Sequence, residues 1–372
     1  MNKNVNCKKE RFKLAVLASH PIQYQAPMFR ALAKEKEIDL IVFFCSNWGL
    51  NEYHDKGFGK NFKWDIPLLG EYPHEFLPNI NLLPNPSKFF GLINPSIICK
   101  LSTKTFDAVW VYGWASFTNW LAMLSAFAFN IPVLLRGDSN LLQQVGPVKT
   151  WLKEKIFKML FKKISAFLAI GKYNADFYEY YGVPKEKIFL IPYTVDNDFF
   201  ISRARELILR KSELRKKHGL PLDLPPILFS GKLVSQKRPM DLLKAYAEVK
   251  KQIKASLVFV GDGLLRKELE TFTKDNNLQH VYFVGFKNQS ELPELYAMSD
   301  IFVLPSEFEP WGLVVNEAMC FGLPIIVSDK VGAGGDLVKD GENGFIYPSG
   351  DIKRLTEILG KPRALSGFDL RQ

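Results

Sequence analysis

Two glutamates, Glu309 and Glu317, stand eight positions apart in the stretch PSEFEPWGLVVNEAMCFGLPIIVSD, residues 305–329. The pattern predicts a strand, a short loop that holds Glu309, and a helix that begins near Gly312 and carries Glu317. A helix N-terminus presents unpaired N–H groups and a partial positive charge, which bind a phosphate. Gly312 lets the backbone come close to such a ligand. Two carboxylates that accept bonds from hydroxyls on either side of a phosphate would suit a sugar, a diphosphate and a ribose.

A second charged group follows another predicted strand, in the sequence SGKLVSQK at 230–237. Lys232 and Lys237 lie where a strand ends, which favours phosphate binding, although lysines of a solvated loop are the ordinary alternative. The turn Gly261-Asp262-Gly263 after the next strand is a weaker indication, because it is also typical of a tight strand-to-helix connection.

The elements that must position these residues alternate between strand and helix. In the first half, strands are predicted at 14–19, 38–46, 107–113, 131–138, 166–171 and 188–196. After residue 220 they are predicted at 225–233, 256–263, 281–286, 300–304, 323–328 and 344–348, with helices at 239–253, 264–276 and 290–298. Apolar strands that alternate with helices indicate parallel sheets covered on both faces. The expected fold class is therefore α/β, with two Rossmann-like doubly wound domains facing a cleft at the carboxyl ends of their strands.

The stretch around the two glutamates resembles the E-x7-E motif of retaining GT-B glycosyltransferases of family 4, the glycosyl transferases group 1. The resemblance implies that Glu309 contacts the donor sugar and takes part in catalysis, and that Glu317 holds the ribose of the nucleotide. It also implies that Gly312, Leu313 and Val314 meet the diphosphate. The donor would be a UDP- or GDP-sugar, with neither a cofactor nor a metal required.

The same resemblance covers further donor residues. Gly231, Lys232 and Lys237 match a family segment that binds the diphosphate, with Lys232 standing where arginine is usual, so that a point charge replaces a bidentate fork. Gly285 and Phe286 end the strand at which the family places the nucleotide base. The four glycine and alanine residues 332–335 resemble the glycine pair beside the donor, or form an ordinary loop.

The first domain offers candidates for the acceptor side. His20 and Tyr24 occupy the loop after the first strand, and Arg136 and Asp138 follow a later one. His20 is predicted as a second catalytic residue, with a packing role as the alternative. Relatives often carry a histidine where this chain has Trp114, so His20 does not simply inherit that role. The irregular region 47–100 is expected to shape an acceptor pocket.

Bulk composition limits the partners and the location. The net charge is +10, and the basic excess sits mainly in the first 200 residues, which favours anionic partners. A helix predicted at 149–164 contains six lysines and one acidic residue; Lys155, Lys158 and Lys162 share an arc with Trp151. That arc suits an anionic membrane surface, with a solvated helix face as an equal alternative. Nucleic acid binding is not expected, because no recognition motif accompanies the lysines.

The expected location is cytoplasmic, with peripheral attachment to the inner face of the membrane. The basic N-terminus lacks the apolar core of a signal peptide, no apolar run is long enough to span a bilayer, and the four cysteines match no metal spacing.

The predicted domains are 1–198 on the acceptor side, 199–350 for the nucleotide sugar, and 351–372 as a short helix and tail in which a helix crossing back to the first domain is short or missing. The predicted function is transfer of a sugar from a nucleotide-diphosphate sugar to a glycan or lipid-linked saccharide. The alternatives are a non-catalytic nucleotide-sugar-binding protein and a sugar-nucleotide epimerase of the same fold.

Overall fold

The apolar runs of the first half become a seven-stranded, entirely parallel sheet. The computed structural model describes residues 11–55, 57–103, 105–142 and 147–361, with only the backbone for 147–153. The elements of the first domain are β1 (Phe12–Ala18), α1 (Ala26–Lys34), β2 (Ile38–Phe44), β3 (Tyr53–Asp55), β4 (Lys60–Phe62), β5 (His74–Phe76), α2 (Ser96–Thr103), β6 (Ala108–Tyr112), α3 (Phe117–Ala128), β7 (Val133–Arg136), α4 (Pro147–Phe161), β8 (Ala166–Ala169), α5 (Lys172–Tyr180) and β9 (Ile188–Leu190). The strand order is β5-β2-β1-β6-β7-β8-β9, and β3 and β4 form a separate antiparallel hairpin.

The second half forms a six-stranded parallel sheet of order β12-β11-β10-β13-β14-β15. Its elements are α6 (Asn197–Leu207), α7 (Lys211–Lys217), β10 (Pro226–Ser230), α8 (Pro239–Val249), β11 (Ser256–Val260), α9 (Arg266–Asp275), β12 (Val281–Gly285), α10 (Leu292–Met298), β13 (Ile301–Leu304), α11 (Leu313–Cys320), β14 (Ile325–Ser328), α12 (Gly334–Leu337), β15 (Gly344–Tyr347) and α13 (Ile352–Leu359). Strands β10, β11, β13 and β14 are buried along their whole length, as expected where helices cover both faces.

The chain passes from one domain to the other between β9 and α6. Asp196 caps α6, its carboxylate accepting a bond from the Phe199 N–H at 3.0 Å. Phe200 and Ala204 of α6 are buried in the core of the second domain. At the other end, α13 packs against α8 and β15 of the second domain.

Helix α4 ends earlier than its sequence predicts. The N–H groups of Lys163 and Ile164 bond to the carbonyls of Leu160 and Phe161, at 3.0 and 3.2 Å, and this tight turn closes the helix at Phe161. Lys162 therefore lies in the turn and not on the helix with Lys155 and Lys158. The side chain of Trp151 lies outside the described residues. No helix in the described ranges combines the length and the apolar character needed to cross a membrane.

Candidate active site

A cavity of about 390 Å³ lies between the two domains, at the carboxyl ends of β10, β11 and β13. The second domain supplies most of its wall, and the first domain supplies the rest through the β3–β4 hairpin, Trp64 in the loop after it, and Gln23 in the loop after β1. The cavity contains all of the predicted donor residues except Gly285, which directly precedes the lining residue Phe286. Those lining it are Gly231, Lys232, Lys237, Phe286, Glu309, Gly312, Leu313, Val314 and Glu317.

The N-terminus of α11 opens onto the cavity through Leu313 and Val314. Gly312 precedes the helix in the left-handed region, with φ at 99°, where glycine is favoured. A Cβ at this position would lie 3.2 Å from the Glu309 Cγ and from a Val331 methyl carbon. The glycine therefore sets both the start of the helix and the close packing of the Glu309 loop.

Glu317 is buried one and a half turns into α11. Its carboxylate accepts a bond from the Tyr296 hydroxyl at 2.7 Å and one from the Gln289 amide at 3.2 Å. Burial raises the pKa of Glu317 to about 7, and the bond from Tyr296 opposes that rise. The carboxylate is a buried acceptor at the cavity wall, suited to a ligand that brings its own hydroxyl donors.

Glu309 lies on a loop that is paired with residues 330–332. The Glu309 N–H donates to the Lys330 carbonyl at 3.0 Å, and the Glu309 carbonyl accepts from the Gly332 N–H at 2.9 Å. A Cβ on Gly332 would stand 2.0 Å from the Pro310 carbonyl oxygen, so this approach requires glycine. The glycine-rich segment thus holds the Glu309 loop in place.

Each of the two site lysines is paired with a carboxylate. Lys237 contacts the Glu309 carboxylate, and Lys232 lies 2.9 Å from a carboxylate oxygen of Asp55 on the hairpin. Burial, and after it the charge of Lys232, lower the pKa of Lys237 to about 8. Asp55 is partly buried, which opposes ionisation, but the bonds from Lys232 and from two hairpin N–H groups outweigh that effect and lower its pKa.

The end of the cavity that Phe286 lines is aromatic. The Phe286 ring lies 4.8 Å from the Phe58 ring and 4.7 Å from the Phe62 ring, both on the hairpin. Gly285, with φ at 82°, directs the chain from β12 into this cluster. Hairpin and sheet are also joined by an ion pair between Lys60 and Asp262 at 3.0 Å.

The first-domain candidates are placed away from this cavity. Tyr24 lines an adjoining cavity of about 220 Å³, which Gln289 and Glu317 also line. His20, Arg136 and Asp138 line neither cavity.

His20 bonds to the Ser19 hydroxyl through Nδ1 at 2.9 Å, and burial lowers its pKa to about 4, so the imidazole is neutral at physiological pH. A neutral imidazole can accept a proton or a hydrogen bond but supplies no positive charge.

The Arg136 guanidinium is 2% exposed and packs over the rings of Trp110, Tyr112 and Tyr193. Tyr193 also packs edge-on against Tyr24, with the ring centroids 5.0 Å apart. Arg136 therefore supports the aromatic wall behind Tyr24. Asp138 is exposed, yet neighbouring groups still desolvate its carboxylate and raise its pKa.

The site residues that the sequence did not single out include Asp55, Gln289 and Tyr296. The hairpin sequence YHDKGFGKNFKW, residues 53–64, contains two glycines and alternating aromatic residues, which is a recognisable hairpin pattern. Its docking onto Lys232 depends on the approach of the two domains, and no local pattern encodes that. Gln289 and Tyr296 reach Glu317 from another helix and loop, and their spacing in the sequence gives no indication of the contact.

Comparison with known proteins agrees with this geometry. Residues 210–361 match the family model described as glycosyl transferases group 1. These residues form a glycosyl transferases group 1 domain. An uncharacterised glycosyltransferase of Methanocaldococcus jannaschii is 34% identical over 196 residues, covering 52% of this chain and 48% of that protein. The alpha-D-kanosaminyltransferase of Streptomyces kanamyceticus is 28% identical over 192 residues, covering 51% and 48%. The chain spans about half the length of these curated relatives.

Solved structures extend the likeness to both domains. HepE of Anabaena, crystallised in complex with UDP, has a TM-score of 0.68 at 18% identity and covers 94% of this chain and 88% of its own. WaaG, a glycosyltransferase involved in lipopolysaccharide biosynthesis, has a TM-score of 0.62 at 16% identity, covering 95% and 90%. The fold is GT-B, and the fold class predicted from the sequence is confirmed. In the group 1 domain, the predicted donor residues surround one cavity.

Proposed function

We propose that this protein is a retaining glycosyltransferase that moves a sugar from a nucleotide-diphosphate sugar to a glycan or lipid-linked saccharide. The observation that carries the proposal is the convergence of two lysines, a helix N-terminus and two glutamates on a single interdomain cavity. Positive groups for a diphosphate and acceptors for hydroxyls are thus arranged in the order in which a nucleotide sugar would need them. Group 1 membership of residues 210–361 supports the same reaction class.

The ion pairs of the two site lysines define how a donor diphosphate would bind. A diphosphate competes with Asp55 for Lys232 and with Glu309 for Lys237. Once Lys237 turns to the phosphate, the Glu309 carboxylate is released toward the sugar. Lys237 then carries its full charge, because a neighbouring diphosphate offsets the burial that depresses its pKa.

Transfer breaks the bond between the anomeric carbon and the phosphate oxygen and forms a bond to the acceptor oxygen on the same face. The electron pair of the broken bond stays on the nucleoside diphosphate, where both lysines and the N-terminus of α11 stabilise the developing charge. The acceptor hydroxyl loses its proton to the leaving phosphate. Lysines supply the positive charge in this scheme, so the proposal assigns no metal.

The donor class proposed is a UDP- or GDP-sugar. HepE of Anabaena was solved with UDP and with UDP-glucose, which makes a uridine donor the first to test. The acceptor would approach from the first domain, past Tyr24, with neutral His20 as a nearby hydrogen-bond acceptor. Arg136 would act on the acceptor through the aromatic wall that it supports, and the exposed Asp138 carboxylate would accept a hydrogen bond from an acceptor hydroxyl. Polysaccharide biosynthesis is the process that such an acceptor implies.

We also propose a cytoplasmic location with reversible docking of α4 on anionic lipid. Lys155, Lys158 and Lys162 are exposed, although Lys158 also bonds to Glu154 at 2.6 Å. Each lysine near an anionic surface contributes about 1 kcal/mol, weakened by salt.

The test is calorimetric titration with uridine and guanosine diphosphates and with the matching nucleosides, followed by product analysis with the sugar donor that binds. Lys232→Ala and Lys237→Ala should each cost the diphosphate about 1.5–3 kcal/mol of binding free energy and cost the nucleoside less. Equal losses for both ligands would place the lysines elsewhere. Binding without transfer or donor hydrolysis would favour a non-catalytic protein, and an altered free nucleotide sugar would favour an epimerase.

A further inference from the structure

An apolar loop projects from the first domain between β5 and α2. This apolar loop, residues 79–91, exposes Leu82 at 95%, Leu83 at 84%, Ile80 at 64% and Phe90 at 61%. Single exposed apolar residues are normal on a protein surface, but four within eleven positions form a concentrated patch. No residue of the loop lines the donor cavity, and the transfer reaction proposed above gives the loop no role.

The loop satisfies much of its own backbone. The Asn79 side chain accepts from the N–H groups of Asn81 and Ile93, both at 3.0 Å, and donates to the Gly91 carbonyl at 3.1 Å. The Asn81 side chain accepts from the Leu83 N–H at 2.8 Å and donates to the Phe90 carbonyl at 2.7 Å. The polar side chains therefore turn inward onto the backbone while the apolar ones turn outward.

The loop is also braced at its crossing point and at its base. A Cβ on Gly91 would stand 1.9 Å from the Asn85 carbonyl oxygen, so the two sides of the loop touch. Buried Asn94 donates to the carbonyls of Cys45 and Leu77, at 3.0 and 2.9 Å, which fixes the base of the loop to β2 and β5. The exposed apolar side chains therefore project from a loop whose backbone is held in place.

Acidic residues are sparse in the chain around the loop: Glu75 and Asp107 bound the nearest stretch, and Glu75 pairs with Lys100 of α2 at 2.5 Å. Residues 76–106 and 108–137 contain neither aspartate nor glutamate, and Lys88 lies exposed within the loop. Helices α2, α3 and α4 bury side chains in the same core, on one face of the first sheet, so the lysines of α4 belong to the same side of the domain. The Lys163 ammonium, in the turn that follows α4, lies over the Phe127 ring of α3 at 5.6 Å, which places the end of α4 beside α3.

From these observations we propose that the apolar loop inserts into an anionic lipid bilayer and anchors the first domain there. Insertion of a loop with exposed apolar side chains and an internally hydrogen-bonded backbone is favourable, because hydrocarbon accepts apolar side chains but unsatisfied backbone groups are costly there. Anionic headgroups attract the surrounding lysines and meet no acidic residue in the two flanking stretches.

Vesicle flotation with the whole chain tests the proposal, with neutral phosphatidylcholine vesicles and vesicles that also contain phosphatidylglycerol. The test variant is Leu82→Ser with Leu83→Ser. The matched control is Leu209→Ser with Leu264→Ser, two second-domain leucines of similar exposure, 88% and 83%. We expect wild type and control to float with the anionic vesicles, and the loop variant to lose binding at least about tenfold.

A third variant separates insertion from charge attraction. The change of Lys155, Lys158 and Lys162 to glutamate should weaken binding mostly at low salt, whereas the loop's contribution should persist at high salt, because salt screens charges and not apolar contacts. All four proteins should bind nucleoside diphosphate equally, so failure of the donor proposal would be seen separately.

The proposal is overturned if wild type does not float, or if the loop variant floats as well as wild type. It is also overturned if light scattering shows an oligomer that the loop variant abolishes, since the patch would then be an interface between copies of the chain.

Discussion

At the scale of single residues, the two glutamates of the site differ in their surroundings more than in their chemistry. Glu317 is buried and held by Tyr296 and Gln289, whereas Glu309 sits on a loop and pairs with Lys237. The fixed, desolvated carboxylate of Glu317 suits recognition of a ligand. The Glu309 carboxylate, which a bound diphosphate would release from Lys237, suits a role in the reaction. This difference predicts that the two residues separate binding from turnover.

Glu317→Gln keeps the shape of the side chain but removes its charge, and nucleoside diphosphate binding should weaken by about tenfold or more. Glu309→Gln should lower the transfer rate and leave binding unchanged or tighter, because Lys237 loses a competing carboxylate. Calorimetry and initial rates for both variants check this. If neither substitution changes binding or rate, the two glutamates lie outside the working site.

The pKa of Glu317 makes a second prediction, about stability. Its value of about 7 lies above the ordinary 4.5, so between these pH values the folded protein holds a proton that the unfolded chain releases. The resulting stabilisation is complete below about pH 4.5 and is lost as the pH rises to 7, by about 3 kcal/mol. Urea unfolding of wild type across this range should therefore show a decline that Glu317→Gln lacks. Parallel pH profiles for the two proteins would contradict the assignment.

At the scale of elements, the β3–β4 hairpin is the first domain's main contribution to the candidate donor cavity. Asp55 at the end of β3 pairs with Lys232, and its Oδ1 also accepts from the N–H groups of Gly57 and Phe58, at 2.8 and 3.0 Å. The same carboxylate therefore shapes the turn and occupies a lysine assigned to the diphosphate. The hairpin therefore both closes the cavity and competes with the proposed diphosphate for Lys232.

Asp55→Asn should separate these two effects, because asparagine can still accept the turn bonds but carries no charge. We expect nucleoside diphosphate affinity to rise about two- to fivefold, the scale of one partly exposed ion pair. The matched control is Asp65→Asn, since Asp65 bonds to the Ser290 N–H across the same domain seam at 3.2 Å and makes no contact with Lys232. Weaker binding by Asp55→Asn would show that Asp55 assists the donor instead.

At the scale of the whole molecule, the two domains also meet at a second seam. It is formed by Asp336 and Trp311 of the second domain and by Gly171 and Lys172 of the first. The Asp336 carboxylate of the second domain accepts from the Lys172 N–H at the start of α5, at 3.1 Å, which places a negative charge at a helix N-terminus. Beside it, Trp311 lies buried against Gly171 of the first domain. Trp311 follows Glu309 by two residues, so this seam connects directly to the loop that carries Glu309.

Gly171→Ala should therefore disturb transfer more than donor binding. The backbone of Gly171 is extended and tolerates any residue, but a Cβ would stand 2.4 Å from the Trp311 ring and 2.6 Å from an Asp336 oxygen. The domains must shift to make room, and the rate should fall at least about tenfold, because small misplacements are costly in catalysis. Lys172→Ala keeps the backbone N–H and serves as the control. An unchanged rate with Gly171→Ala would mean that this seam does not position the site.

The sequence by itself determined the fold class, the resemblance to glycosyl transferases group 1 and the placement of the candidate donor residues together at one edge of the second sheet. Its strands are apolar runs bounded by turns, and the donor residues lie where such strands end, so periodicity and local motifs were enough to bring Lys232, Lys237 and Glu317 to one edge of one sheet. Tertiary structure alone decided what those residues contact. Asp55 lies 177 positions from Lys232, and Gln289 and Tyr296 meet Glu317 from separate elements. The burial that raises the pKa of Glu317, and the exposure of the apolar loop, likewise depend on how distant segments pack, which no local pattern of residues records.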